Sequence, residues 1–153
     1  MENNRSAKTL WGDYLDKHIE DAFVDDPLVE HFCDNEKDAN ECANLVVKGI
    51  KKATTHSLLG LQMRNEPLPK IGNFRIVTDW NGEAKCIVRT TAVKLKPLFS
   101  IDASYALIEG EGDKSLEYWK KTHWDYYTRE LEEFNRTPKK SMIVVCEEFE
   151  KVF

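Results

Sequence analysis

The chain has 153 residues, of which 41% are hydrophobic and 32% are charged, and its formal net charge is −5. This length and composition predict one soluble globular domain over residues 1–153, large enough to bury a core without disulfides or metals. The acidic balance argues against a broad lysine and arginine surface that holds nucleic acid non-specifically, and no apolar run is long enough to predict a membrane span.

The N-terminal segment is polar and shows no apolar stretch followed by a cleavage site, so a cytoplasmic protein is expected. Residues 1–9 are expected to form a poorly ordered tail. From Leu10 to Phe23, apolar side chains recur at three- and four-residue spacing, which predicts an amphipathic helix. The sequence Asp25-Asp26-Pro27 is expected to end this helix.

The four cysteines are widely spaced and show neither a CxxC motif nor cysteine–histidine pairing of the zinc-site type. They are Cys33, Cys42, Cys86 and Cys146. Reduced and mostly buried thiols are therefore expected, and no metal or other cofactor is predicted.

A second helical pattern begins at Ala39 and runs up to Gly49, which suits a left-handed cap at its end. The following segment, KKATTHS (residues 51–57), is dense in polar functional groups. One interpretation is the lining of a pocket, in which a desolvated Lys51 serves as base or nucleophile. A hydrogen-bonded surface turn explains the same residues equally well.

A short helix is predicted around residues 58–63. Two strand-forming segments, 74–79 and 83–95, flank the turn at Asn81-Gly82 and predict an antiparallel hairpin. Residues 101–110 fit either a short helix or a loop.

A long helix is predicted from Lys114 to Phe134, with Asp113 as its N-cap, and residues 141–153 predict a closing strand. Helices followed by strands, a helix and a last strand indicate an α+β domain with a largely antiparallel sheet or barrel.

The segment EGEGD, residues 109–113, alternates acidic residues with glycines. Crowding of Glu109, Glu111 and Asp113 would raise one carboxyl pKa toward the range useful for acid–base chemistry. An acidic loop with a helix cap is the alternative, and spacing alone favours it. His123 lies on the apolar stripe of the long helix, where a histidine is more often part of the core.

Read together, GIKKATT (residues 49–55) and EGEGDKSLEYWKKTH (residues 109–123) resemble the ASCH family, and the likeness spans nearly the whole chain from Trp11. The resemblance implies a PUA-like fold, a small and mostly antiparallel β-barrel with flanking helices. PUA-like relatives bind RNA. The ASCH family includes hydrolases of acetylated cytidine nucleosides and members described as ribonucleases.

The amidohydrolase-type members of that family use a lysine, a threonine three residues later and a distant glutamate, which the resemblance carries over onto Lys51, Thr54 and Glu111, with Glu109 as the alternative glutamate. Lys51 would be base or nucleophile, Thr54 would assist, and Glu111 would pass a proton to the leaving amine. His56 departs from the small residue expected at its position. The remaining candidate substrate-binding residues are Lys52, His56, Ser57, Glu109, Asp113 and His123.

The function that the resemblance favours is a metal-independent hydrolase of an acylated nucleoside such as acetylated cytidine. The alternative is an RNA-binding module or a ribonuclease that uses the same pocket. The expected partner is accordingly a nucleoside or single-stranded RNA, with no membrane association.

Overall fold

The computed structural model describes all 153 residues and shows an α+β fold built on one five-stranded sheet. The strands are β1 Leu28–Glu30, β2 Ala53–Ser57, β3 Phe74–Thr78, β4 Ala84–Pro97 and β5 Ile143–Lys151. Their order in the sheet is β1-β3-β4-β5-β2; β1 pairs with β3 in parallel and the other pairs are antiparallel. The helices are α1 Arg5–Leu15, α2 Glu36–Val47, α3 Leu58–Met63, α4 Ala103–Glu109 and α5 Leu116–Glu132. The sheet is curled into a half-barrel with flanking helices, which confirms the predicted PUA-like α+β fold.

Each helical layer covers its own part of the sheet with buried apolar side chains. Helix α1 packs on β3 and β4, α2 packs on β3, β4 and β5, and α4 and α5 pack on β2 and β5. No helix is both long enough and apolar enough to cross a membrane.

The end of α2 determines how the chain enters β2. Gly49 has φ +71°, a left-handed conformation that glycine adopts without steric cost. The amides of Ile50 and Lys51 both donate to the carbonyl of Leu45. This confirms the predicted helix end at Gly49 and brings Lys51 into the interior at the start of the edge strand.

Several other local predictions are confirmed. Helix α3 occupies residues 58–63, Gly82 lies in the turn between the antiparallel strands β3 and β4, and β5 closes the chain. The ambiguous segment 101–110 contains α4, whose N-cap Asp102 accepts a hydrogen bond from the amide of Tyr105.

Three local predictions need correction. Helix α1 begins at Arg5, within the expected tail, and ends at Leu15, after which Ile19 and Phe23 are exposed rather than packed on the core. The N-cap of α5 is Ser115, whose hydroxyl accepts from the amide of Tyr118, while Asp113 caps only the amide of Ser115. The strands β1 and β2 escaped sequence reasoning because they are three and five residues long and mostly lack apolar alternation.

Candidate functional site

Two neighbouring acidic side chains take different positions because a glycine separates them. Gly110 ends α4 with φ +70°, and a Cβ at this position would lie 2.6 Å from the carbonyl oxygen of Ile50. The backbone of residue 110 therefore lies directly against the residue that precedes Lys51. This close approach brings both Glu109 and Glu111 to the Lys51 side chain.

Lys51 is the centre of the resulting cluster, with a side chain that is only 1% exposed. Its Nζ lies 2.8 Å from Oε1 of Glu111, 3.4 Å from Oε1 of Glu109 and 2.7 Å from the carbonyl oxygen of Ala53. These three acceptors match the three hydrogens of an ammonium group. Lys51 has no hydrogen left for a ligand in this arrangement.

The same neighbours determine the charge of Lys51. Burial alone lowers the pKa of a lysine, but the carboxylates of Glu111 and Glu109 outweigh burial and raise the pKa of Lys51 above its ordinary value. Lys51 is therefore an ammonium ion at neutral pH.

Glu109 is the internal partner of this cluster and is saturated with hydrogen-bond donors. Besides Lys51, it accepts hydrogen bonds from Nε2 of His123 at 3.2 Å, from Oγ1 of Thr55 at 2.8 Å and from the indole of Trp119. Burial would raise the pKa of Glu109, yet His123 and Lys51 lower it to about 2. The carboxylate is ionised and has no position open to a ligand.

His123 is the second cation beside Glu109. Its Nδ1 donates to the carbonyl of Trp119 at 2.8 Å, while Nε2 faces Glu109. Burial lowers the pKa of His123, but the Glu109 carboxylate raises it by a larger amount. Because one ring nitrogen faces a carbonyl oxygen and the other faces a carboxylate, both act as donors. The histidine predicted to be core is therefore buried and paired with an acid.

Glu111 differs from Glu109 because one of its oxygens stays free. Oε1 accepts from Lys51 and from the thiol of Cys42 at 3.3 Å, whereas Oε2 makes no hydrogen bond within the chain. The Glu111 side chain is 15% exposed and lines a large cleft. Of the two glutamates that the sequence left open, Glu111 is the one with an accessible acceptor.

Strand β2 separates its two threonines by strict alternation. Thr55 is buried and binds Glu109, with Oγ1 also 3.2 Å from the hydroxyl of Tyr105. Thr54 and His56 are half-buried, lie on the other face of the strand and line the cleft. The hydroxyl of Thr54 makes no hydrogen bond within the chain, so it remains free for a ligand.

A second polar cluster forms another part of the cleft wall. Glu147 on β5 accepts from Nε2 of His56 at 2.7 Å, from Nη2 of Arg75 at 3.0 Å and from Oγ1 of Thr90 at 2.7 Å. Burial would raise the pKa of Glu147, but its hydrogen bond to His56 and the charge of Arg75 lower it to about 2. The Phe32 ring lies between the two clusters, 5.2 Å from Nζ of Lys51 and 5.7 Å from Cζ of Arg75.

Sequence reasoning missed Glu147, Arg75 and Thr90. The sequence of β5 does contain an indication, because Glu147 alternates with Val145 and Phe149 and so lies on the same buried face of the strand. An unpaired charge is costly at such a position. Such an acid requires a buried partner, but the sequence does not show which cation supplies it.

The cleft has a volume of about 1180 Å³ and is strongly acidic. Eleven aspartate and glutamate side chains line it, against four lysine and arginine side chains. A negatively charged ligand would therefore meet net repulsion, whereas a neutral or cationic ligand would not.

The three remaining candidate residues do not line the cleft. Lys52 is exposed and contributes backbone hydrogen bonds to Ile108 and Phe149. Ser57 is buried and caps α3, since its hydroxyl accepts from the amide of Gly60 at 3.0 Å. Asp113 is exposed on the loop before α5.

Ligand atoms of Glu109, Glu111 and His123 lie within 4.8 Å of one another, a grouping that metal ions use. The Lys51 ammonium already lies between the two carboxylates, at 3.4 and 2.8 Å. A metal ion would therefore have to displace or repel this charge, and the cluster is better described as a lysine–carboxylate site.

Comparisons with known proteins agree with this fold. The sequence model of the ASCH domain matches residues 29–153. The chain is similar to the crystal structure of an ASCH domain from Lactobacillus crispatus JV V101, with 28% identity, a TM-score of 0.90 and coverage of 97% of this chain and 95% of that one. It is also similar to protein EF3133 from Enterococcus faecalis V583, with 33% identity, a TM-score of 0.86 and coverage of 97% and 88%. No curated protein is significantly similar to the chain.

The PUA-like fold of ASCH domains is often linked to RNA binding. The family match includes every residue of both polar clusters, and the two solved structures share the fold over nearly the whole chain. This chain belongs to the ASCH domain family.

Proposed function

We propose that this protein is a metal-independent hydrolase that removes an acyl group from the exocyclic amine of a nucleoside such as acetylated cytidine. The observation that carries the proposal is the Lys51–Glu111 pair, in which a buried ammonium holds a carboxylate whose second oxygen is free at the cleft. A positioned carboxylate with a free oxygen is a suitable proton carrier for hydrolysis.

In the proposed reaction, Oε2 of Glu111 takes a proton from water as the water oxygen attacks the acyl carbonyl carbon. The hydroxyl of Thr54 donates a hydrogen bond to the developing oxyanion. The carbon–nitrogen bond then breaks, and Glu111 returns the proton to the leaving amine. The products are a carboxylic acid and the free amine of the base.

Lys51 has an electrostatic role in this scheme, unlike the base or nucleophile expected from the sequence. Its raised pKa and its three occupied hydrogens oppose direct attack on a carbonyl. The ammonium instead orients Glu111 and offsets negative charge near the reacting carbonyl.

The acidity of the cleft favours a free nucleoside over a phosphodiester. Eleven acidic against four basic lining residues would repel the phosphates of RNA, which normally bind to clustered lysine and arginine. The RNA-binding and ribonuclease alternatives therefore have less physical support than nucleoside hydrolysis.

The test is to incubate the purified chain with acetylated cytidine, other acylated nucleosides and single-stranded RNA, and to follow the products by chromatography. Glu111→Gln keeps the side-chain shape and should lower kcat by roughly 10²- to 10⁴-fold. Glu117→Gln, an exposed change on α5, is the matched control and should leave turnover unchanged. Absence of product from every acylated nucleoside, or equal turnover by Glu111→Gln, would contradict the proposal; cleavage of RNA would support the ribonuclease alternative.

A further inference from the structure

His56 and Glu147 form a carboxylate–histidine pair at the cleft, outside the Lys51 cluster. Nε2 of His56 lies 2.7 Å from Oε2 of Glu147, and the two side chains are 22% and 3% exposed. They come from the neighbouring strands β2 and β5, where Thr54 is the register partner of Glu147. Thr54, His56 and Glu147 therefore project to the same side of the sheet.

The environment of Glu147 determines which nitrogen of His56 carries the proton. The carboxylate is held by Arg75 and Thr90 in addition to His56, and in its ionised form it only accepts hydrogen bonds. Nε2 of His56 must therefore be protonated, and in the neutral ring Nδ1 is the unprotonated nitrogen.

Nδ1 of His56 makes no hydrogen bond within the chain, and His56 lines the cleft. Other polar atoms of the cleft lining also make no hydrogen bond within the chain, among them the hydroxyl of Thr54, which donates or accepts, and Oε2 of Glu111, which accepts. The cleft thus offers acceptors from more than one strand or loop, a pattern that suits a ligand rich in hydroxyl or amino groups.

We infer that His56 is a ligand-binding residue whose Nδ1 accepts a hydrogen bond from an N–H or O–H group of an uncharged nucleoside, with Glu147 as its positioning residue. This inference rests on the proposed function for the class of ligand, although it concerns binding and not the hydrolytic step.

Two amide substitutions separate ligand binding from a structural role. Asn at position 56 places its Oδ1 close to the location of Nδ1, whereas Gln places its amide close to Nε2 and preserves the contact with Glu147. His56→Asn therefore retains the acceptor for the ligand and loses the link to Glu147. His56→Gln does the reverse.

The experiment measures the Kd of cytidine and of acetylated cytidine by calorimetry for the full chain and for His56→Asn, His56→Gln and His56→Ala. Loss of one hydrogen bond weakens binding by roughly 2- to 12-fold. We expect this loss in the Ala and Gln variants, and a Kd within about threefold of the wild type for Asn. Every variant should remain folded, because Arg75 and Thr90 still donate to Glu147. Thermal melting of each variant checks this.

Wild-type affinity in the Gln variant together with weakened binding in the Asn variant would assign His56 a structural role and overturn the inference. Failure of the wild-type chain to bind either nucleoside would overturn it as well. Where acetylated cytidine is turned over, the loss in the Ala and Gln variants should appear in KM more than in kcat. Binding with no turnover, and with the expected ranking of variants, would contradict the hydrolase proposal while supporting the role of His56.

Discussion

Lys51 and Glu111, 60 residues apart in the chain, form an ion pair in which Nζ lies 2.8 Å from Oε1. Glu109, on the other side of Gly110, lies 3.4 Å from Nζ of Lys51 in the interior and is also paired with His123. One glutamate is thus enclosed and the other reaches the cleft.

Removing the charge of Lys51 should destabilise the protein. Lys51→Met leaves two carboxylates without their shared cation, and breaking a buried ion pair costs about 3–5 kcal/mol in the free energy of unfolding. Lys52→Met, at the exposed neighbouring position, should change the free energy of unfolding by less than about 0.5 kcal/mol. Urea denaturation measures both.

If Lys51→Met proves too unstable to purify, the double variant Lys51→Met/Glu111→Gln tests the same coupling. It should be more stable than the sum of the single changes by about 1–3 kcal/mol, because one uncompensated charge is removed. Strict additivity would show that the pair contributes no coupling energy.

Substitution by alanine should destabilise the protein at Gly110 and stabilise it at Gly12. Gly110→Ala meets a positive φ and a backbone oxygen at 2.6 Å, so a loss of about 1–3 kcal/mol is expected. Gly12 lies within α1 and has open space around its Cβ position, so alanine should stabilise by about 0.5–1 kcal/mol. Thermal or urea unfolding checks both, and a neutral Gly110→Ala would contradict the close approach.

The two threonines of β2 should separate stability from activity. Thr55→Val removes a buried donor to Glu109 and should cost about 1–3 kcal/mol of stability. Thr54→Val removes a hydroxyl with no partner in the chain, so stability should change little while turnover of acylated nucleosides falls. Equal effects of the two changes on stability would contradict the different environments of buried Thr55 and cleft-lining Thr54.

Glu147 should make folding sensitive to acid. Its pKa is about 2 in the folded chain against an ordinary value of 4.5, so the unfolded chain takes up a proton first as pH falls. The stability that Glu147 contributes is complete above pH 4.5 and is lost between about pH 4.5 and 2, with a magnitude on the order of 3 kcal/mol.

Urea unfolding at pH 6 and pH 3 measures this dependence. Glu147→Gln should be less stable at pH 6, since Arg75 loses a buried partner, and should lose less stability on acidification. Glu150→Gln, exposed on the same strand, is the control and should retain the wild-type pH dependence. Identical losses in all three proteins would exclude Glu147 as the source.

The acidic cleft should discriminate against phosphate. We expect cytidine to bind more tightly than cytidine monophosphate, because the added negative charges face a surplus of carboxylates. The difference should shrink as salt is raised, since screening weakens the repulsion. Calorimetry at low and high salt checks this, and tighter binding of the monophosphate would instead favour an RNA ligand.

Local sequence patterns were sufficient for the elements whose causes are local. Glycine at position 49 ends α2 and the turn at Asn81-Gly82 joins β3 to β4 because backbone conformation there depends on the residues themselves. The same reasoning failed at Leu15, since apolar spacing continues past the point where packing on the sheet stops. It also failed for β2, whose alternation becomes visible only with β5 beside it.

The sequence by itself determined the α+β class, the family and the presence of a lysine, a threonine and two glutamates in two motifs. Only the tertiary structure decided that Glu109 is enclosed, that Glu111 has a free oxygen and that Lys51 is an ammonium ion. The reason is physical: protonation and access depend on which groups from distant segments surround an atom. Those neighbours come from segments far apart in the chain, so the spacing of residues in the sequence does not identify them.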